Sequence, residues 1–70
     1  MNITIIPDKI NSYHFHVFLN KFEIGSIFKP YSYPGSKQIY TVYTMDDPRI
    51  LKDYKTYEEC IKYLEEYING

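Results

Sequence analysis

His14 and His16 stand two residues apart in the run Tyr13-His14-Phe15-His16-Val17-Phe18-Leu19. In an extended strand residues i and i+2 share a face, so both imidazoles project the same way. Neutral imidazoles at that spacing can share a metal ion. A third donor is needed, and Glu23 is the one nearby acid on that face. Two donors make a weak metal signal, so the pair is read as histidines on a half-exposed sheet surface and no metal site is assigned. Cys60, the sole cysteine, excludes an internal disulfide and any multi-cysteine zinc site. Paired with a histidine it would be a nucleophile, but it falls on the apolar stripe of a C-terminal helix. The histidines face away from that helix, so the sheet separates them and Cys60 reads as a small core residue. Serines are few and sit in turns, which leaves no Ser-His-Asp set. Glu58, Glu59, Glu65 and Glu66 lie on the solvated helix face, not in the shielded cleft that a carboxylate pair requires. Gly25, Gly35 and Gly70 form no phosphate-cradling loop. No catalytic residue and no cofactor are assigned, and the chain is expected not to be an enzyme.

The elements that position these side chains follow from hydrophobic periodicity. Tyr13, Phe15, Val17 and Leu19 fall on one face of a strand, with His14, His16 and Phe18 on the other. Asn20-Lys21 reads as a two-residue hairpin turn, since Asn tolerates positive φ. A second strand, Phe22 to Phe28, then pairs in a register set by that turn. Leu19 meets Phe22, Phe18 meets Glu23, Val17 meets Ile24, His16 meets Gly25, Phe15 meets Ser26, His14 meets Ile27 and Tyr13 meets Phe28. A third strand, Ile39 to Met45, is β-branched and aromatic on both faces and is ended by Asp46-Asp47-Pro48. Ile3 to Ile6 is the candidate for a fourth, edge strand closed by Pro7, with a turn over Asp8 to Ser12. Arg49 to Lys55 reads as a linker with room for one helical turn. Thr56 and Glu59 have capping-box spacing. Tyr57, Cys60, Ile61, Leu64, Tyr67 and Ile68 form the apolar stripe of an amphipathic helix over residues 56–68, and Asn69-Gly70 suits a C-terminal cap. The expected fold is one α+β domain over residues 1–70. Its sheet, residues 3–45, is antiparallel with three or four strands, and the helix packs on one face.

Between the second and third strands, Lys29 to Gln38 is longer than the usual hairpin connection. It carries a Pro34-Gly35 turn signal together with Tyr31 and Tyr33, where a simple connector would use Ser or Asn. Tyrosine gives rigid, amphipathic contact area at small entropic cost, and Lys29 and Lys37 flank the pair. The outer sheet face, with His14, His16, Phe18, Ile27 and Tyr40 or Tyr43, is too aromatic to meet only water. Aromatic side chains are enriched in interface cores. Either the N-terminal segment, a second copy of the chain or a foreign partner is expected to cover it. The partner-binding residues are therefore read as His14, His16, Phe18, Lys29, Tyr31, Tyr33 and Lys37.

Composition narrows the partner. Apolar residues make up 44% and charged residues 24% of the chain, ordinary for a globular domain and too apolar for disorder. The net charge of −1 argues against a domain held to nucleic acid by bulk positive charge. Lysines outnumber acids up to residue 45, and acids outnumber bases beyond it. No apolar run approaches the length that spans a bilayer, and Met1 to Pro7 lacks a basic leader. Membrane partnership is not expected, and the expected compartment is the cytoplasm. Nine tyrosines, no alanine and a single arginine fit A/T-rich coding DNA, as in many small phage and mobile-element proteins and in proteins of many A/T-rich bacteria.

Three antiparallel strands and a helix opening Tyr54-Lys55-Thr56-Tyr57-Glu58-Glu59-Cys60 resemble, over residues 13–68, the three-stranded-sheet-plus-helix domains of the AP2 type and of phage integrase N-termini. That resemblance implies a sheet entering a DNA groove with the helix behind it. The chain departs from the pattern on the outer face, which offers His14, His16 and Glu23 in place of arginines, the usual base readers. In size, composition and lack of catalytic groups the chain is also similar to small phage proteins that inhibit host enzymes or defence complexes, anti-CRISPRs among them. No specific motif matches, so no residue role carries over. The expected function is a non-catalytic protein-binding module that occludes a surface on a host or defence protein. The alternative is a nucleic-acid binder with Lys21, Lys29 and Lys37 on phosphates and aromatics stacking bases.

Overall fold

The computed structural model describes residues 3–45 and 50–69. Five strands, β1 (Ile3–Pro7), β2 (His14–Leu19), β3 (Phe22–Phe28), β4 (Tyr40–Thr44) and β5 (Ile50–Tyr54), precede the helix α1 (Tyr57–Asn69). Every strand pairs antiparallel with its sequence neighbour, so the sheet order is β1-β2-β3-β4-β5. The α+β class with one C-terminal helix stands as expected, but the sheet has five strands and not three or four.

The additional strand is β5, where a linker was expected. Its side chains are mostly exposed, so no alternation of apolar and polar residues marks it. What holds it is backbone pairing along the free side of β4, from Tyr40 opposite Tyr54 to Thr44 opposite Ile50. The expected break at Asp46-Asp47-Pro48 and the Gly70 cap lie outside the described residues. At the other edge, β1 pairs with β2 from Ile3 opposite Leu19 to Pro7 opposite Phe15. Pro7 is tolerated there because an edge strand leaves one row of backbone groups unpaired.

The β2–β3 hairpin departs from the expected register after its first two pairs. Asn20 takes a φ of 59° in the turn, and Leu19–Phe22 and Phe18–Glu23 pair as read from the sequence. A bulge then intervenes: Val17 meets Gly25, His16 meets Ser26, Phe15 meets Ile27 and His14 meets Phe28. One extra residue on β3 reverses the facing of everything beyond it. Ile27 turns into the core, while Ser26 and Phe28 turn outward, the opposite of the unbulged assignment. The physical reason is burial. The bulge lets both Ile24 and Ile27, three residues apart, face the helix side, where strict alternation would place only one. Ile27 is fully buried and Ile24 packs against the core.

That core consists of Val17, Ile27, Val42, Cys60 and Leu64, all fully buried, with Phe15, Tyr40, Tyr54, Tyr57, Ile61 and Tyr63 against it. Burying each of the larger aliphatic side chains contributes about 1.5–3 kcal/mol. The helix begins at its cap, where the Glu59 N–H donates to Thr56 Oγ1 at 3.2 Å and the Thr56 hydroxyl donates to the Glu59 carboxylate at 3.1 Å. Cys60 and Leu64 are its buried positions. Tyr63, outside the expected stripe, reaches Tyr54 with ring centroids 5.9 Å apart. Tyr67, inside that stripe, keeps 36% of its surface exposed. Among the described residues no helix is long and apolar enough to cross a membrane.

Candidate functional site

With α1 on one face, the other face of the sheet carries the side chains of interest. The pairing places Ile6, His16, Ser26, Tyr43 and Leu51 in one row across it, and His14, Phe28, Thr41 and Asp53 in the next. Tyr43, not Tyr40, is the outward tyrosine of β4; Tyr40 meets Tyr57 of the helix at 6.2 Å. The N-terminal strand extends the edge of this sheet and does not fold across its outer face.

An aromatic row runs over that face. The rings of His16 and His14 lie 4.3 Å apart, His14 stacks on Phe28 at 4.4 Å, and Phe28 stacks on Tyr43 at 5.7 Å. Phe28 was expected on the core side, and the bulge is what brings it here. It also joins the histidines to a second feature. The long connection between β3 and β4 bends around an open groove of about 490 Å³, lined among others by Phe28, Tyr31, Tyr33, Lys37, Thr41 and Asp53.

The loop is shaped by its own chemistry. Gly35 has a φ of 86°, and the Ser36 N–H donates to the Tyr33 carbonyl at 3.2 Å. These are the marks of the Pro34-Gly35 turn. Tyr31 packs against Tyr13 at 4.6 Å and Tyr33 at 5.9 Å, yet Tyr31 and Tyr33 remain 53% and 60% exposed. Lys29 borders the groove, but its ammonium lies 5.6 Å from the Tyr13 ring and 5.9 Å from the Phe15 ring. Lys21, in the hairpin turn, is at the opposite end of β3 from Lys29, so the lysines do not form one track.

The histidine end is more polar than the sequence suggested. Asp8, in the connection from β1 to β2, accepts the N–H groups of Ile10 and Asn11 on Oδ2 at 3.0 and 2.8 Å. Its other oxygen, Oδ1, accepts from His16 Nε2 at 2.8 Å. His16 Nδ1 donates to Glu23 at 3.3 Å. His14 Nε2 lies 2.9 Å from the hydroxyl of Ser26. The Asn11 N–H, then His16 and the Ile10 N–H, hold the Asp8 carboxyl well below the usual carboxylate range. Hydrogen bonds to Asp8 and then Glu23 raise the pKa of His16. Asp8 was not among the residues singled out from the sequence. It lies six residues before His14, and only the tight turn through Asn11 brings it onto the face. The Asp8–Asn11 pair of turn formers was the available signal.

His14 and Ser26 have the spacing of a base and a nucleophile, but Ser26 is fully buried and offers no hydroxyl to a substrate. Cys60 is also buried, on the far side of the sheet, and burial pushes its thiol up to about 11. The seven sequence-predicted residues therefore form two adjoining groups. His14, His16 and Phe18 lie on the sheet face, and Tyr31, Tyr33, Lys29 and Lys37 border the groove. Phe28 bridges the groups. Comparison of the chain with protein-family models, curated proteins and solved structures yields no match.

Proposed function

We propose that the chain is a non-catalytic protein-binding module that grips a larger partner with its outer sheet face and the Tyr31/Tyr33 loop. The observation that carries this reading is the continuity of the aromatic row from His16 through Phe28 into a groove whose two loop tyrosines are more than half exposed. Rigid aromatic side chains around a concavity are the usual anchors of a protein interface. In this reading the module acts by occlusion, as a phage or mobile-element modulator of a host enzyme or defence complex would. The groove takes an apolar anchor from the partner, and Lys37 meets an acidic rim. Nucleic-acid binding draws less support, because Asp8, Glu23 and Asp53 share the face with the aromatics and the lysines are dispersed.

The test is capture from a host lysate by the immobilised chain, read by mass spectrometry, beside the double variant Y31A/Y33A. The wild type should retain a defined protein and the double variant should lose it. The two tyrosines are surface residues, so the melting temperature should move by less than about 4 °C. Equal capture by both proteins, or capture that fades steeply with salt and is abolished by nuclease, would refute the reading.

A further inference from the structure

We infer that Asp8, His14 and His16 form a binding site for one divalent transition-metal ion of the Zn²⁺ type. One donor atom from each of the three residues lies within 4.8 Å of the others. Four-coordinate Zn²⁺ with bonds of 2.0–2.1 Å sets its ligand atoms about 3.4 Å apart. The Asp8–His16 pair is already closer than that, at 2.8 Å. The widest separation needs a closure of roughly 1.4 Å, within reach of side-chain rotation on these half-buried residues. Two imidazoles and one carboxylate suit Zn²⁺ and its transition-metal neighbours, not Ca²⁺ or Mg²⁺, which take shells of oxygen.

The surroundings of the three donors are those of a built site. A metal-bound histidine ordinarily donates its other ring nitrogen to a carboxylate or carbonyl, which fixes its orientation. His16 has that arrangement: with Nε2 toward Asp8, its Nδ1 is held by Glu23. Asp8 Oδ2 is pinned by two backbone N–H groups, which leaves Oδ1 as the ligating oxygen. His14 is held at its ring by Ser26. The two histidines sit on β2, an internal strand, and Asp8 is tied to it by the hydrogen bond from its own N–H to the His14 carbonyl at 2.9 Å. In place of the hydrogen bond between His16 and Asp8 the ion would bridge the same two atoms, releasing that proton to solvent. Three protein ligands leave a position for water or for a donor from a partner. Asp8 and His16 border a hollow of about 290 Å³ whose wall also includes Ile6, Pro7, Lys9, Ile10 and Phe18. The site shares His14 and His16 with the proposed partner face but not Tyr31 or Tyr33, so loss of metal binding in D8N and loss of capture in Y31A/Y33A are separate outcomes.

The experiment is calorimetric titration of Zn²⁺ into the chelator-treated full chain, with D8N and H14Q beside it and circular dichroism to establish that each variant is folded. The visible spectrum of the wild type with Co²⁺ supplies a measurement that needs no variant. Saturable binding of one ion per chain, weakened at least tenfold in both variants, with the intense ligand-field bands of four-coordinate Co²⁺, is the expected result. E23Q should weaken binding by roughly tenfold or more as an outer partner of His16. Absence of saturable binding, a weak six-coordinate Co²⁺ spectrum, or Zn²⁺ affinity unchanged by D8N would overturn the assignment.

Discussion

Replacing Gly25 by alanine probes the close approach of β3 to β4 beside the bulge. A Cβ at Gly25 would lie 2.2 Å from the Tyr43 carbonyl oxygen, 3.2 Å from its carbon and 3.3 Å from the Thr44 Cα. All three atoms belong to the backbone of β4, so no side chain can rotate out of the way. Relief requires β3 and β4 to separate by about 1.3–1.8 Å, given ordinary contacts near 3.5–4.0 Å. That separation falls where the Met45 N–H donates to the Ile24 carbonyl at 3.0 Å and beside the buried Thr44. Overpacking of this kind costs about 1–3 kcal/mol, and each weakened hydrogen bond about 1 kcal/mol more. A loss of about 2–4 kcal/mol follows. A chain of this size has about 3–5 kcal/mol of core stabilisation in hand, so G25A should be barely folded at room temperature.

The matched control is Gly35→Ala. Gly35 has a positive φ, but a Cβ added there would meet nothing within 4 Å, so its cost is conformational, about 1 kcal/mol. Thermal unfolding followed by far-ultraviolet circular dichroism separates the two. At about 4–8 °C per kcal/mol for a small domain, G35A should melt roughly 4–8 °C below the wild type, and G25A roughly 8–32 °C below it. A G25A protein that melts at or above G35A would show that β3 does not pass β4 at this distance.

Two further outcomes follow from the ionisable groups. In the presence of a chelator, the Asp8–His16–Glu23 cluster should stabilise the fold most at mildly acidic pH. Asp8 contributes above its unfolded value of 3.8 and loses that contribution as pH falls toward its depressed folded value. His16, raised above 6.5 by Asp8 and Glu23 and with the His14 ring 4.3 Å away, contributes below 6.5 and loses that contribution as pH rises through its folded value. The melting-temperature difference between wild type and H16Q should therefore be larger at pH 6 than at pH 8.5, and an equal difference at both would refute the charged pairing. Cys60, fully buried and with its thiol pushed up to about 11, should react with a disulfide reagent only as fast as the chain opens; native-state labelling at the rate of a free thiol would contradict its place in the core.

The sequence made the helix, the hairpin turn and the outward pair of histidines legible because each has a local cause. Thr56 and Glu59 cap the helix, Asn20 accepts positive φ, and His14 and His16 obey the two-residue alternation of a strand. What stayed hidden had non-local causes. β5 is held by pairing to β4, and its Leu51, 64% exposed, leaves no apolar alternation to read. The bulge lies beside Gly25, which lets the backbone of β4 approach closely. Its traces in the sequence are a glycine inside a strand and two isoleucines, Ile24 and Ile27, spaced by three. Asp8 joins the histidines through a turn whose direction a sequence does not state.

The same one-residue insertion serves the core and the outer face together. It turns Ile27 toward Leu64 and the helix, and by the same reversal it sets Ser26 beside His14 and Phe28 between the histidines and the groove. In the unbulged register Gly25 and Ile27 would oppose His16 and His14, so neither the stacked row nor the hydroxyl beside His14 would exist. Burial of an isoleucine supplies the driving force, of order 1.5–3 kcal/mol, while the polar contacts of the outer face each contribute less. The fold is therefore held in this register by its core. The side chains of the outer face are positioned as a consequence, while Asp8 also holds its own turn through the Ile10 and Asn11 N–H groups. Tyr31 and Tyr33 on the exposed loop can therefore be replaced to test binding at small structural cost, whereas D8N needs its fold verified and a Cβ at Gly25 meets the β4 backbone.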